Sequence, residues 1–263
     1  MNILIATAFV TAIGLLCAIL LVIVSVIFEV KVNPKTEQIR SCLPGANCGA
    51  CGYAGCDGYA NALAENLEAN TSLCNPGAAK VAADIADILG VTASEVTKKV
   101  ATVHCNGTCE NTDKKADYYG GKSCSAAKLI YGGNGKCIYG CLGFGDCVTV
   151  CEYDAIHIEY GVARVDTALC TACGKCVGKC PNSLIEIIPS NNPVTVKCNN
   201  TEKGINARKN CNAACIGCMK CEKVCPSGAI TVENNLSHID YEKCTACGEC
   251  AKVCPTDAIV YKK

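Results

Sequence analysis

Residues 215–255 read CIGCMKCEKVCPSGAITVENNLSHIDYEKCTACGECAKVCP, and this stretch decides the architecture. Twice within it four cysteines fall in eleven residues: Cys215, Cys218, Cys221 and Cys225-Pro226, then Cys244, Cys247, Cys250 and Cys254-Pro255. Thiols this crowded cannot form independent disulfides, whose Cα atoms must sit at defined separations. They suit a cubane: three thiolates on one tight loop reach three irons, and the fourth, carried onward by a short helix, points to the other cluster. The spacing predicts Cys215, Cys218 and Cys221 with Cys254, and Cys244, Cys247 and Cys250 with Cys225, around two [4Fe–4S] centres. A pair of zinc sites is the alternative, but zinc modules separate their CxxC knuckles by a dozen or more residues.

Moving outward, a shift of 74 positions superposes Cys124, Cys137, Cys141, Cys147, Cys151, Cys170, Cys173, Cys176 and Cys180 on Cys198, Cys211, Cys215, Cys221, Cys225, Cys244, Cys247, Cys250 and Cys254. So many coincidences indicate a tandem duplication. Each copy reads as a cysteine run, a short helix, a fourth cysteine, a turn and a β-rich stretch. The earlier copy departs in one place: Phe144 stands where the later one has Cys218. Cys137 is the nearest replacement. The expected sets are therefore Cys137, Cys141, Cys147 with Cys180, and Cys170, Cys173, Cys176 with Cys151. An empty site or a three-iron cluster is the alternative for the first.

Nearer the N-terminus, Cys48, Cys51 and Cys56 with Cys74 supply four more thiolates among Gly49, Gly52 and Gly55, which permit the tight turns of a cluster loop. This reads as a fifth [4Fe–4S] site, with zinc left open. Asn75-Pro76 reads as the start of a following helix and Gly90 as its stop. Cys42, Cys105, Cys109, Cys124, Cys198 and Cys211 remain. Cys105, Cys124, Cys198 and Cys211 are the preferred set for a sixth cluster, against the alternative of duplication relics and buried free thiols.

Composition agrees. The chain carries 27 cysteines in 263 residues, no Trp and three Phe, so metal rather than aromatic packing must organise it, and folding should be coupled to metal assembly. Basic and acidic residues balance at 24 each, which argues against a nucleic-acid partner. Ile3–Phe28 holds no charge, enough for a helix of about 39 Å against a hydrocarbon core of about 30 Å. No basic n-region precedes it, so it reads as an uncleaved anchor. Lys31, Lys35 and Arg40 follow it, and the positive-inside rule places the rest in the cytoplasm, where thiols stay reduced. His104, His157 and His238 share no spacing and read as structural. Neither a dinucleotide fingerprint nor a P-loop is present.

The expected fold is α+β: a transmembrane anchor (1–30), a small helical 4Fe–4S module (31–100), a connection (101–133) and two tandem ferredoxin-like dicluster modules (134–192 and 193–263). Five buried redox centres without a substrate site describe an electron wire. Cys48 to Cys56 within LPGANCGACGYAGC, the distant Cys74, YGCLGFGDCVTVC and the tandem motifs resemble the B subunits of Rnf complexes over essentially the whole chain. The resemblance implies a subunit of a membrane-bound, ion-translocating ferredoxin:NAD⁺ oxidoreductase, taking electrons from reduced ferredoxin and passing them to other Rnf subunits. Flavin, nicotinamide and the ion path would then belong to those partners. A wiring subunit of another membrane-bound reductase or hydrogenase is the alternative, and a zinc-dependent interaction protein a third reading.

Overall fold

The computed structural model describes residues 2–27, 33–93 and 95–262. Helix α1 (Asn2–Ile27) is apolar all round, and none of its Thr7–Ser25 stretch is buried. It is the one helix among the described residues long and apolar enough to cross a membrane. Within it Thr11 Oγ1 donates to the carbonyls of Thr7 and Ala8, both at 3.0 Å, the internal partners a hydroxyl would need in hydrocarbon. Of the basic flank, Lys31 lies outside the described residues, while Lys35 and Arg40 sit on α2 (Pro34–Cys42).

A small helical unit follows. Asn33 caps α2, its side chain accepting from Lys35 N–H at 3.0 Å, and Pro34 opens the helix where no donor is needed. Helices α3 (Cys56–Ala64) and α4 (Ala78–Leu89) pack on α2 through Ile39, Tyr59, Leu63 and Ile85, all essentially inaccessible. Helix α4 starts two residues later than Asn75-Pro76 suggested. Residues 75–77 form a turn instead, held by Ala78 N–H on the Cys74 carbonyl at 3.0 Å. Position 77 must be glycine for this turn to form, because a Cβ there would run into the Val81 side chain. Gly90 ends the helix at φ 71°, the left-handed stop expected.

The remainder folds as two repeated units. In the first, β1 (Lys99–Val103) is followed by α5 (Cys124–Leu129), α6 (Asp146–Thr149), the hairpin β2 (Ile156–Glu159) and β3 (Val162–Val165), α7 (Lys175–Lys179) and β4 (Ile185–Pro189). In the second, β5 (Val194–Val196) is followed by α8 (Gly204–Asn210), α9 (Lys220–Val224), the hairpin β6 (Ile230–Glu233) and β7 (Leu236–Ile239), α10 (Glu249–Lys252) and β8 (Ile259–Tyr261). Both hairpins are antiparallel, and in each unit the first strand pairs antiparallel with the last, β1 with β4 and β5 with β8. The connection expected over 101–133 therefore contains part of a strand. KVATV is short and its partner lies far away in sequence, so nothing local marked it as sheet.

The backbone carries the repeat beyond the cysteines. Left-handed φ values recur 74 residues apart at Gly143 and Gly217, Gly145 and Met219, Ala172 and Ala246, and Gly174 and Gly248. Gly145, Gly174, Met219 and Gly248 each open the short helix that carries a run's third cysteine. The repeat breaks only N-terminal to the runs. Val103 pairs with Ile185 and Val196 with Ile259, so Val103 corresponds to Val196, 93 residues apart rather than 74. The first unit thus holds a 19-residue insertion between its first strand and its first run. The cores are four small clusters in which Val, Ile and Ala are interleaved with cysteine.

Candidate metal centres

The N-terminal four are brought together as the spacing suggested. Cys74 is buried, and its thiol faces Cys56, Cys48 and Cys51. The loop is held by Asn47, whose Oδ1 accepts from Cys56 N–H at 2.9 Å, and by Tyr59, whose hydroxyl donates to the Asn70 carbonyl at 2.8 Å. Arg40 Nε reaches Asp57 at 2.6 Å and ties α2 to α3 beside it.

In the second unit Cys215, Cys218, Cys221 and Cys254 line one pocket, and Cys225, Cys244, Cys247 and Cys250 another. The fourth thiol of each run crosses to its partner's pocket, as the motif predicts. In the first unit Cys151 crosses likewise to Cys170, Cys173 and Cys176, where the Cys176 thiol faces all three.

The remaining pocket of the first unit differs from expectation. Cys147 faces Cys141, Cys124 and Cys180, and these four line one pocket from which Cys137 is absent. Cys124 arrives on the 19-residue insertion. Its backbone is pinned by buried Asp146, which accepts from Cys124 N–H at 2.8 Å, Ser125 N–H at 3.0 Å and Ser123 Oγ at 2.9 Å. Phe144, at the position of the missing cysteine, packs instead against Tyr118 of the same insertion, with ring centroids 5.3 Å apart. Cys137 turns to a neighbouring pocket with Cys105, Cys198 and Cys211, which Cys141 also lines. Spacing places Cys137 with Cys141, and Cys124 with Cys105, Cys198 and Cys211. The structure exchanges the two, because proximity in sequence favours Cys137 while the insertion folds Cys124 back onto the first run. Cys42 and Cys109 join none of these groups, and His157 and His238 are exposed on hairpin strands.

The donor set fits iron–sulfur clusters. Backbone N–H groups point at the sulfurs: Ala101 at Cys170 (3.3 Å), Ala155 at Cys151 (3.4 Å) and Leu184 at Cys180 (3.4 Å). Such bonds stabilise thiolate charge and help set a cluster's potential. Without metal the sites are unfavourable for thiolates. Burial pushes the Cys105 and Cys147 thiols up to about 12, and Cys176, Cys198, Cys221 and Cys250 to about 11. Metal must supply the compensation. Sets of four thiols line single pockets, the donor set a [4Fe–4S] centre takes.

Residues 169–230 and 214–258 match families described as 4Fe-4S dicluster domains, and residues 43–76 a family described as "Putative Fe-S cluster". The chain is an iron–sulfur protein built on 4Fe-4S dicluster domains. It is 46% identical over 88% of its length to the B subunit of the Na(+)-translocating ferredoxin:NAD(+) oxidoreductase complex of Acetobacterium woodii, covering 69% of that protein. It is 40% identical to the B subunit of an ion-translocating oxidoreductase complex of Methanosarcina acetivorans, over 90% of this chain and 89% of that one. It is also 40% identical to the B subunit of the proton-translocating ferredoxin:NAD(+) oxidoreductase complex of Clostridium ljungdahlii, over 88% and 81%. The chain belongs to this family, the B subunits of Rnf-type ion-translocating oxidoreductases.

Proposed function

We propose that this chain is the membrane-anchored electron relay of an ion-translocating ferredoxin:NAD⁺ oxidoreductase, accepting electrons from reduced ferredoxin and passing them to the other subunits of the complex. The observation that carries this reading is the grouping of twenty thiols into five sets of four. These are Cys48, Cys51, Cys56, Cys74; Cys124, Cys141, Cys147, Cys180; Cys151, Cys170, Cys173, Cys176; Cys215, Cys218, Cys221, Cys254; and Cys225, Cys244, Cys247, Cys250. A [4Fe–4S] centre held by four thiolates supplies a one-electron carrier.

The protein's own part is to hold, insulate and space these carriers. Crossed ligation through Cys151 and Cys180, and through Cys225 and Cys254, ties each pair of sites into one unit. Ala101, Ala155 and Leu184 offer N–H groups to the sulfurs, while Val and Ile side chains exclude water. Cys218 and Cys247 are exposed, which supports docking of a small redox partner at the second unit. The helical unit, joined to α1 by a short segment, lies toward the membrane end of the path. Lys35 and Arg40, which follow α1, support a cytoplasmic side for all of it. The units run from 31 to 93 for the helical module, from β1 to 192 for the first repeat, and from 193 to 263 for the second.

Anaerobically purified protein should absorb broadly near 400 nm, bleach with dithionite and be reduced by reduced ferredoxin. Colourless protein containing zinc, or clusters that reduced ferredoxin leaves oxidised, would refute this function.

A further inference from the structure

Four thiols outside the five sets meet between the two repeated units. Cys105 and Cys137 come from the first, Cys198 and Cys211 from the second. Cys137 faces each of the other three. A Cβ on Gly107 would lie 3.5 Å from Cys105 Sγ and 3.8 Å from Cys211 Sγ, so both sulfurs rest against one glycine. Cys105, Cys198 and Cys211 are buried and Cys137 is half-buried.

The two pairs are structural equivalents. Cys137 and Cys211 are related by the 74-residue repeat. Cys105 and Cys198 are related by strand register, each lying two residues beyond matched strand ends, Val103 and Val196. The hydrogen bonds repeat as well. Gly107 N–H meets Cys105 Sγ at 3.4 Å and Asn200 N–H meets Cys198 Sγ at 3.5 Å, each donor two residues past its cysteine. Cys141 N–H donates to Cys105 at 3.4 Å, and Cys215, its repeat mate, donates to Cys198. The backbone at Tyr139 serves Cys137 as that at Ala213 serves Cys211. Even the preceding residues exchange contacts: Lys197 Nζ donates to the Val103 carbonyl at 3.2 Å, and His104 Nδ1 to the Val196 carbonyl at 2.6 Å. The site thus has a local two-fold axis, which a cubane with two pairs of equivalent thiolates matches.

We propose that Cys105, Cys137, Cys198 and Cys211 bind a further [4Fe–4S] cluster that bridges the two repeated units and carries electrons between them. The assignment rests on the five-cluster relay above and adds its missing joint. Cys141 belongs to the pocket with Cys124, and Cys215 to the pocket with Cys254. On each side a single N–H···S bond links a ligand of the neighbouring centre to a ligand of the bridge. One electron leaves a reduced neighbour and reduces the bridge, which is reoxidised by the neighbour opposite, with no proton or bond exchanged. The bridge also accounts for three buried thiols and a half-buried one gathered where the two repeated units meet.

The test is iron, sulfide and zinc quantitation with EPR on the anaerobically purified full chain, compared with Cys137→Ser, Cys211→Ser and the control Cys109→Ser. The wild type and the control should hold about 24 irons, and each bridge variant should lose about four or show a three-iron signal. Native thiol alkylation, read by mass spectrometry, covers variants that fold poorly: in the wild type all four bridge cysteines should resist labelling while Cys109 reacts. About 20 irons with the four thiols labelled, or about 20 irons with one zinc, overturns the bridge and leaves the five-cluster reading intact. Iron far below 20 in the wild type overturns that underlying reading as well.

Discussion

Replacing Asp146 with alanine should remove one iron–sulfur centre without touching a sulfur. Asp146 is 8% exposed, and besides its bonds to Cys124 N–H, Ser125 N–H and Ser123 Oγ it accepts from Ser125 Oγ at 3.1 Å. Burial alone would raise its carboxyl, but the N–H groups of Ser125 and Cys124 and the two serine hydroxyls hold it below the ordinary carboxylate value. Alanine leaves two backbone donors at the start of α5 without acceptors. At about 1–3 kcal/mol for each orphaned donor, the local loss centres near 3–4 kcal/mol. At about 1.4 kcal/mol per decade, opening of the segment that presents Cys124 rises by roughly two to three orders of magnitude. Asn at this position keeps one oxygen for an N–H group and should fall between alanine and the wild type. The assay is native alkylation with mass-spectrometric readout, run beside iron quantitation and EPR. Cys124 should become labelled, and about four irons and one paramagnetic centre should be lost, while Cys137 stays protected. An alanine variant that retains its iron with Cys124 protected, or in which Cys137 is the thiol that becomes accessible, refutes the placing of Cys124 in this pocket.

Three further outcomes follow from the same geometry. Cys124→Ser should lose the same centre, and adding Phe144→Cys should restore it in iron analysis, because Gly143 and Gly145 hold residue 144 in the backbone that presents Cys218. Gly143→Ala combines φ 73° with a Cβ only 2.7 Å from the Gly161 carbonyl oxygen, and should lower stability by about 1–3 kcal/mol in denaturant titration of the holoprotein; a change under a few tenths contradicts the packing. Stripping iron with a chelator should collapse the repeated units, read as loss of far-UV circular dichroism, since cores this small are interleaved with sulfur; retained native spectra would show that they fold without metal.

Much of the site was legible in the sequence because its ligands are local. Where three thiolates lie on one loop and the fourth one helix further on, spacing alone fixes which atoms can share a cube, and both pockets of the second unit group as the motif predicts. The N-terminal four were legible for a similar reason, with glycines marking the loop. The insertion defeated this logic. A gapless 74-residue shift aligned Cys124 with Cys198, although strand register matches Cys198 to Cys105. Strand β1 carries that register, and its pairing with β4 is a long-range contact that five residues of sequence cannot announce.

The sequence by itself determined the chemistry: a charge-free N-terminal helix, thiols in cluster spacing, a duplicated unit and no nucleotide motif. Only the tertiary structure decided which thiols belong together where the repeat is broken. Ligation depends on where sulfurs converge in space. For Cys105, Cys124, Cys137, Cys198 and Cys211 that convergence is set by strand pairing, by the Asp146 clamp and by the packing of one unit against the other.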